Sequence, residues 1–196
     1  MTRTRTLNKD RVLETAAALA NEQGGLETLT LTRLAAALNV RVPSLYNHVN
    51  GLDGLRDDLR LRAGQELLAQ VRAAAHGLSG AAALRAMADA SRRFAQQQPG
   101  LYPLTIIAPD PGETEARALA DEWLGLLLLV MATLGLQGEE ALHAIRGFRA
   151  LVYGYIALEM AGGYKMDLDR DTSYGRIIDT FLAGLNLPAQ RITAAN

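Results

Sequence analysis

The 196-residue chain contains no cysteine, which excludes disulfide bonds, zinc sites built on thiolates and cysteine nucleophiles. Aromatic residues make up only 5% of the chain, and no segment concentrates the Val, Ile, Thr and Tyr residues that strands favour. Alanine and leucine are abundant instead, and both favour helix. We therefore expect an all-α protein.

Long hydrophobic runs and an N-terminal signal are also missing. The longest apolar run, residues 123–131, is far shorter than the ~20 residues that a membrane span needs. Residues 1–10 lack the apolar centre of a secretory signal. Hydrophobic residues at 49% and charged residues at 21% are the balance of an ordinary globular chain. We expect a soluble, cytoplasmic protein with no membrane partner.

Catalytic and metal-binding patterns are absent as well. Residues 77–81 (GLSGA) lack the last glycine of a nucleophile elbow and do not follow a strand. Residues 167–171 begin like a calcium loop, but Thr172 and Ile178 stand where that loop needs Gly and Glu. These acids suit a loop, with Asp171 or Thr172 capping the last helix. The histidines have no metal-ligand spacing: His48, His76 and His143. We expect no enzyme, no metal and no cofactor.

Residues 30–55 (TLTRLAAALNVRVPSLYNHVNGLDGL) contain two short helices separated by a tight turn. Thr30 is placed to cap the first helix, and Asn39 ends it, because asparagine tolerates the left-handed conformation of a helix stop. Pro43 suits the first turn of the second helix, where its missing N–H costs nothing. The first helix carries an apolar stripe at helical spacing: Leu31, Leu34, Ala35 and Leu38.

The second helix has two unlike faces. Its apolar back consists of Val42, Leu45 and Val49, and its polar front of Ser44, Asn47 and His48. A small helix with a short, hydrogen-bonding front fits the major groove of DNA.

The pattern LxxLAxxLxVxxPSLYxHV in this stretch resembles the helix-turn-helix of TetR-type transcriptional regulators, in which Tyr or Phe followed two residues later by His recurs. With its flanking helices the match covers residues 7–59. The remaining chain fits the family in helix count and order. Residues 147–163 also resemble the C-terminal domain of a subgroup that often carries a Trp-His-Gly triplet, here Val152-Tyr153-Gly154.

The resemblance implies DNA contacts around the second helix. Tyr46 would place its hydroxyl on a phosphate, and His48 would do the same or touch a base edge. Ser44 and Asn47 would read bases, since asparagine suits adenine. The alternatives are a core-edge aromatic for Tyr46 and an ordinary surface histidine for His48. The other expected contacts are Val42 (unless it faces inward) and Pro43 on a thymine methyl, with Thr30, Thr32 and Arg33 near phosphates. Many relatives have a lysine just after this helix, whereas residues 50–52 here are Asn-Gly-Leu.

We predict nine helices in two domains. The three-helix DNA-binding domain spans residues 1–55, and a helical ligand-binding and dimerisation domain spans residues 56–196. Asn8 is the expected cap of the first helix, which Gly24-Gly25 ends. A fourth helix from about Asp53 to His76 has no linker and is expected to belong to both domains. Arg3 and Arg5 lie on an arm that either reaches DNA or is a solvated tail.

The resemblance also implies a small-molecule effector that binds the larger domain and releases DNA. The candidate lining residues carry few polar groups, so a mainly apolar effector is expected. Each of them has ordinary core packing as its alternative: Phe94, Tyr102, Ile106, Trp123, Leu127, Phe148, Val152 and Tyr155.

Between residues 147 and 161 the only charges are Arg149 and Glu159, so this helix needs cover on nearly all sides. The resemblance implies that it and the last helix form a homodimer, and a two-fold dimer suits a palindromic operator. The candidate interface residues are Leu151, Tyr153, Leu158, Ile177, Phe181 and Leu185.

These patterns predict a homodimeric, effector-responsive regulator of double-stranded DNA, with repression as the expected mode. Charge supports this only weakly, because residues 1–51 carry a net +2 and the remainder −3. Two alternatives stay open. One is a helical enzyme or ligand carrier with a merely structural N-terminal bundle, and the other is a protein-interaction adaptor that uses residues 44–48.

Overall fold

The computed structural model describes residues 7–23 and 25–185, which form eight α-helices and one 3-10 helix, without strands. The predicted all-α class is confirmed. The arm with Arg3 and Arg5, Gly24 of the expected stop and residues 186–196 lie outside the described residues. The elements in order are α1 (Lys9–Gln23), α2 (Leu31–Leu38), α3 (Val42–Leu45), α4 (Gly51–Ala75), α5 (Gly80–Gln97), the 3-10 helix (Tyr102–Ile106), α6 (Thr114–Ala132), α7 (Gly138–Met160) and α8 (Arg170–Leu185).

The ends of α2 are set by its own flanking side chains. The hydroxyl oxygen of Thr30 accepts a hydrogen bond from the Arg33 N–H at 3.2 Å, so Thr30 is the N-cap. Asn39 adopts the left-handed conformation with φ 54°. The N–H of Val40 then reaches back to the Ala35 carbonyl at 2.9 Å, which satisfies the open end of the helix. Both predicted ends of α2 are confirmed.

The helix α3 is a single turn that ends at Leu45 and continues as a turn to residue 48. The His48 N–H bonds to the Leu45 carbonyl at 2.8 Å, three residues back, which tightens the chain beyond a normal α-helical step. Leu45 and Val49 are nonetheless buried in the core, as predicted for its apolar back.

The helix α4 runs without interruption for 25 residues, starting two residues earlier and ending one residue earlier than predicted. It packs against α1 as well as against α5, the 3-10 helix and α6. Leu55 and Leu59 are fully buried near its start, and Val71 near its end. They belong to one hydrophobic core that extends from α1 to α8. The boundary predicted between residues 55 and 56 falls inside this helix and stays a prediction.

A tight junction joins α1 to the turn before the 3-10 helix. The Gly100 N–H donates to the Asn21 side-chain oxygen at 3.0 Å, and the Asn21 amide donates to the side chain of Gln98. A Cβ on Gly100 would lie 2.7 Å from the Asn21 backbone nitrogen and still closer to the Ala20 carbonyl. Only glycine fits there, because the obstructing atoms are backbone.

The helices α5, α7 and α8 meet around Arg92. Its guanidinium bonds to both carboxylate oxygens of Glu159 at 2.8 and 2.6 Å and to Asp171 at 2.8 Å. The hydrogen bond to Glu159 raises the pKa of Arg92 above its usual range. The same guanidinium lies over the rings of Tyr174 and Tyr155, at 4.9 and 5.8 Å from their centres. A charge at this depth is compensated by carboxylates and ring faces.

The cap of α8 differs from the prediction. Asp169 is the capping residue, because its carboxylate accepts the Thr172 N–H at 2.6 Å. Hydrogen bonding to Thr172 lowers the pKa of Asp169. Asp171 and Thr172, the predicted caps, lie inside the helix because it begins at Arg170.

Candidate nucleic-acid interface and cavity

The residues predicted to contact DNA sit around the start of α2 and around α3, and we call this surface the α2–α3 face. Thr30, Thr32, Arg33, Pro43, Tyr46 and Asn47 are exposed, whereas Val42, Ser44 and His48 are half-buried. Residues 28–50 contain two arginines and no acidic residue. This segment therefore presents no negative charge of its own to a polyanion.

Tyr46 follows α3 directly and is 59% exposed. This exposure disfavours the alternative of a core-edge aromatic. Within the described part of the chain its hydroxyl makes no hydrogen bond, so it is available to an external acceptor.

Val42 and Arg33 are held by the protein itself. Val42 packs against the core, as the inward-facing alternative foresaw, which leaves Pro43 as the more exposed apolar group at this end of α3. The Arg33 guanidinium donates to the Thr28 carbonyl at 3.2 Å, so its charge is fixed near the start of α2.

A partly open cavity of about 300 Å³ lies between α4, α5, the 3-10 helix, α6 and α7. This volume is at the lower end of the range for small-molecule sites. Six of the eight predicted lining residues border it: Tyr102, Ile106, Trp123, Leu127, Phe148 and Val152.

Phe94 and Tyr155, the other two predicted lining residues, lie elsewhere. Phe94 is fully buried on α5 within the core. Tyr155 packs on Tyr164 and Tyr174, with ring centres 4.8 and 5.0 Å apart, and donates its hydroxyl to the Arg170 carbonyl. Its ring and hydroxyl are engaged by α8 and by the segment before α8, and not by the cavity.

Several lining residues were not foreseen. Arg60 on α4 and Arg149 on α7 border the cavity, as does Tyr153, which the sequence had suggested only for a dimer interface. The Tyr153 ring stacks on Tyr102 with centres 5.8 Å apart. Helical spacing offered a signal for two of them, since residues 145, 148, 149, 152 and 153 share one face of α7.

The outer faces of α7 and α8 expose apolar side chains. Leu158 is 53% and Ile177 is 38% exposed. The other residues predicted for a dimer interface are half-buried: Leu151, Tyr153, Phe181 and Leu185. A Cβ on Gly154 would meet nothing within 4 Å, so α7 has an open, small-residue position beside them.

Metal-binding clusters and membrane-spanning helices are both missing from residues 7–23 and 25–185. No group of three or more His, Asp or Glu side chains in them is arranged to hold a metal ion. None of the helices they form combines the length and the apolarity needed to cross a bilayer.

The chain is similar in sequence and in structure to known proteins. Residues 84–181 match a family model for the C-terminal domain of tetracyclin repressor-like proteins. The chain is 31% identical over 180 residues to YobS, an HTH-type transcriptional regulator of Bacillus subtilis, with 91% of this chain and 93% of that protein covered.

Two solved structures share the fold. A protein of unknown function from Rhodococcus superposes with a TM-score of 0.78 at 21% identity, over 95% of this chain and 100% of that one. A TetR variant of Acinetobacter baumannii in complex with minocycline superposes with a TM-score of 0.67 at 23% identity, over 91% and 96% of the two chains.

Proposed function

The chain belongs to the TetR family of helix-turn-helix transcriptional regulators, and from this premise we propose that it is a homodimeric repressor that a small molecule releases from a palindromic operator. The family assignment points to regulation of transcription by DNA binding rather than to catalysis. The observation that carries the finer proposal is the course of α4, which begins beside the α2–α3 face and borders the cavity further along.

DNA recognition falls to the α2–α3 face. In this proposal Tyr46 donates its hydroxyl to a phosphate, while Ser44 and Asn47 reach base edges and His48 bonds to a phosphate or a base. Thr30, Thr32 and Arg33 lie near the backbone, where contacts fix orientation and not sequence. The exposure of Tyr46 and Asn47 and the absence of acidic residues in the segment support these roles.

The effector site in this proposal is the cavity. A TetR variant of similar fold binds minocycline, which supports a small organic ligand for this chain too. Most of the lining is apolar, so the body of the ligand would be apolar as well.

Dimerisation is assigned to the outer faces of α7 and α8. The exposed Leu158 and Ile177 and the open position at Gly154 support a close helix–helix contact there. A two-fold dimer presents two α2–α3 faces, which matches two half-sites of a palindrome.

Coupling between the two sites has two physical routes. One is α4 itself. The other is the 3-10 helix, because Tyr102 borders the cavity while Gly100, two residues earlier, is bonded to Asn21 of α1. An effector that prefers a different placement of these elements would shift the population away from the DNA-binding state.

The proposal is tested by selecting binding sites from random duplex DNA at two salt concentrations. We expect a palindrome with half-sites one or more helical turns apart, and an affinity that falls steeply with salt. Asn47→Ala should relax base choice at one position in each half-site, since a lost bidentate contact reduces discrimination by about 1–3 kcal/mol.

Selection is repeated after the protein has been unfolded and refolded, which strips any ligand carried through purification. Enrichment only after refolding would still support a ligand-released regulator. If neither preparation enriches a sequence, the proposed operator binding is wrong.

A further inference from the structure

The charges that border the cavity are unbalanced. Arg60 and Arg149 line it, and no aspartate or glutamate does. A ligand that fills the cavity would cover part of such a cationic group, and removing that group from water costs free energy unless the ligand supplies an anion. The two arginines differ in whether the protein already supplies that anion.

Arg60 is already engaged. Its guanidinium is paired with Glu113, and the two side chains are 16% and 28% exposed. Glu113 also accepts the Asp110 N–H at 2.6 Å, so its position is fixed by the loop before α6. A ligand anion at Arg60 would have to displace an acid that the protein holds in place.

Arg149 differs from Arg60 in this respect. Across the described residues no carboxylate lies within ion-pair distance of its guanidinium, and the side chain is exposed. Its charge is nevertheless felt at the cavity wall. Burial raises the pKa of Tyr102 well above its usual range, and Arg149 opposes that rise.

The other polar groups of the cavity have little capacity left to donate to a ligand. The Ser91 hydroxyl donates to the Met87 carbonyl at 2.9 Å, and the Thr105 hydroxyl donates to the Tyr102 carbonyl at 2.7 Å. Besides the tyrosine hydroxyls and the indole N–H of Trp123, Arg149 is therefore the donor with spare capacity on this lining, and it is the one that carries a charge. A guanidinium forms paired hydrogen bonds with a carboxylate in a fixed geometry.

The apolar walls define the rest of the ligand. Tyr102 and Tyr153 stack with their planes 20° apart, and Trp123 and Leu127 also border the cavity. Such surfaces suit a compact body with an aromatic ring.

We infer that the effector is an amphipathic organic anion, whose carboxylate pairs with Arg149 while its apolar, ring-bearing body fills the cavity beside Tyr102, Tyr153 and Trp123. The inference rests on the proposed function of the cavity as the effector site, and it replaces the mainly apolar effector expected from sequence with a charged one.

The test uses two probes of matched shape, 4-phenylbutyrate and 4-phenylbutan-1-ol, on the full-length protein. Trp123 is the only tryptophan of the chain and borders the cavity, so its fluorescence reports binding directly. We expect the acid to bind about tenfold more tightly than the alcohol, because a hydrogen bond to a charged group is stronger than one to a neutral group.

Arg149→Gln should abolish this preference and leave the affinity for the alcohol unchanged. Arg149→Lys keeps the charge without the paired geometry and should retain part of the preference. Arg146→Gln is the matched control: it removes an arginine three residues earlier on α7, outside the cavity lining, and should keep the full preference.

The outcomes separate the inference from the proposed function. If both probes bind the natural protein equally well, the cavity accepts ligands but the anion inference is wrong. If the acid preference survives in Arg149→Gln, the inference is wrong in its assignment of Arg149. If neither probe alters the fluorescence, the inference fails together with the proposed effector site.

Discussion

Arg92 is a buried charge whose removal should lower stability strongly. Its side chain is 10% exposed and its partner Glu159 is 13% exposed. Without the guanidinium, Glu159 would be left as an unpaired carboxylate at low dielectric, a loss of about 3–5 kcal/mol. We expect Arg92→Met to lower the free energy of unfolding by about 3 kcal/mol in urea titrations.

Asp171 gives the matched comparison. It also pairs with Arg92, but it is 84% exposed, so Asp171→Asn should change stability by less than about 1 kcal/mol. Replacing Arg92 and Glu159 together with apolar residues should recover most of the loss. Equal effects of Arg92→Met and Asp171→Asn would show that the Glu159 pair adds little.

Tyr46→Phe tests a single hydroxyl on the α2–α3 face. The ring stays and the donor is lost, so operator affinity should fall about tenfold, as for a hydrogen bond to a charged phosphate. The dimer and the thermal midpoint should not change, because Tyr46 is exposed. Tyr164→Phe removes the same group after α7 and should leave affinity intact. An unchanged affinity in Tyr46→Phe refutes the phosphate contact.

The stability of the start of α8 should depend on pH through Asp169. Its pKa is lowered from the usual 3.8 by hydrogen bonding to Thr172, so it stabilises the fold above that value. The contribution is lost as the pH falls through the lower, folded-state pKa. Asp169→Ala should therefore lower the thermal midpoint at pH 7, and the difference should shrink towards pH 3. Asp167→Ala, a nearby loop acid, should behave like the natural protein at both values.

Caps were predictable from sequence where the interaction is local. Thr30 and Asn39 act within three to five residues of themselves, and both were placed correctly. Asp169 was missed because the start of α8 was placed one residue too late, at 171 instead of 170, and a cap shifts with its helix. Arg149 was missed as a lining residue because its partners across the cavity come from α4, the 3-10 helix and α6.

At the scale of elements, the junction between α1 and Gly100 is the contact most sensitive to a small change. Gly100→Ala would drive a methyl group into the backbone of Ala20 and Asn21, so either α1 or the turn must shift. Overpacking of this kind costs about 1–3 kcal/mol. We expect a lower urea midpoint of unfolding. We also expect ligand addition to reduce the DNA affinity of this variant by less than it reduces that of the natural protein.

Gly112→Ala is the matched control for that junction. A Cβ there would meet nothing within 4 Å, and its φ is not in the left-handed region. It should leave both stability and the ligand response unchanged. If the two alanine variants behave alike, the junction carries neither stability nor coupling.

Element bounds were predicted closely where apolar periodicity is long. The helix α4 was found within two residues at each end because its apolar positions recur over seven turns. The spacing of Val42, Leu45 and Val49 predicted the short second helix. It did not show that this helix ends at Leu45 and is followed by a tighter turn, in which the His48 N–H bonds to the Leu45 carbonyl. The Gly100 junction was not foreseen, since its partners are 79 residues apart.

At the scale of the whole molecule, the outer face of α7 is predicted to hold two copies together. Leu158→Glu places a charge where an apolar partner is expected, so the protein should sediment as a monomer and bind its operator more weakly. Leu129→Glu on α6 is the control: Leu129 is 67% exposed but outside the predicted interface, so that variant should stay dimeric. A dimeric Leu158→Glu would place the interface elsewhere.

The fold class and the order of helices followed from composition and periodicity, and the family resemblance followed from one motif of about twenty residues. The sequence did not show which apolar side chains line the cavity and which only fill the core. Phe94 and Val152 are both apolar residues inside long helices, so the sequence does not distinguish their roles, yet only Val152 borders the cavity. Which apolar side chain is left against empty volume depends on how several helices pack, and no single helix encodes it.

The unbroken course of α4 makes it a lever. It meets α6 at Gly64, where an added Cβ would lie 2.7 Å from the Leu119 side chain. If that point acts as a pivot, the arm from Gly64 back to Gly51 is about 20 Å long. A tilt of about 6° then displaces the end of α4 next to the α2–α3 face by about 2 Å. In a two-fold dimer the distance between the two α2–α3 faces changes by about twice that, which is about the rise of one base pair along DNA. A ligand that tilts α4 slightly would therefore shift the two faces out of register with successive major grooves, while every helix stays folded.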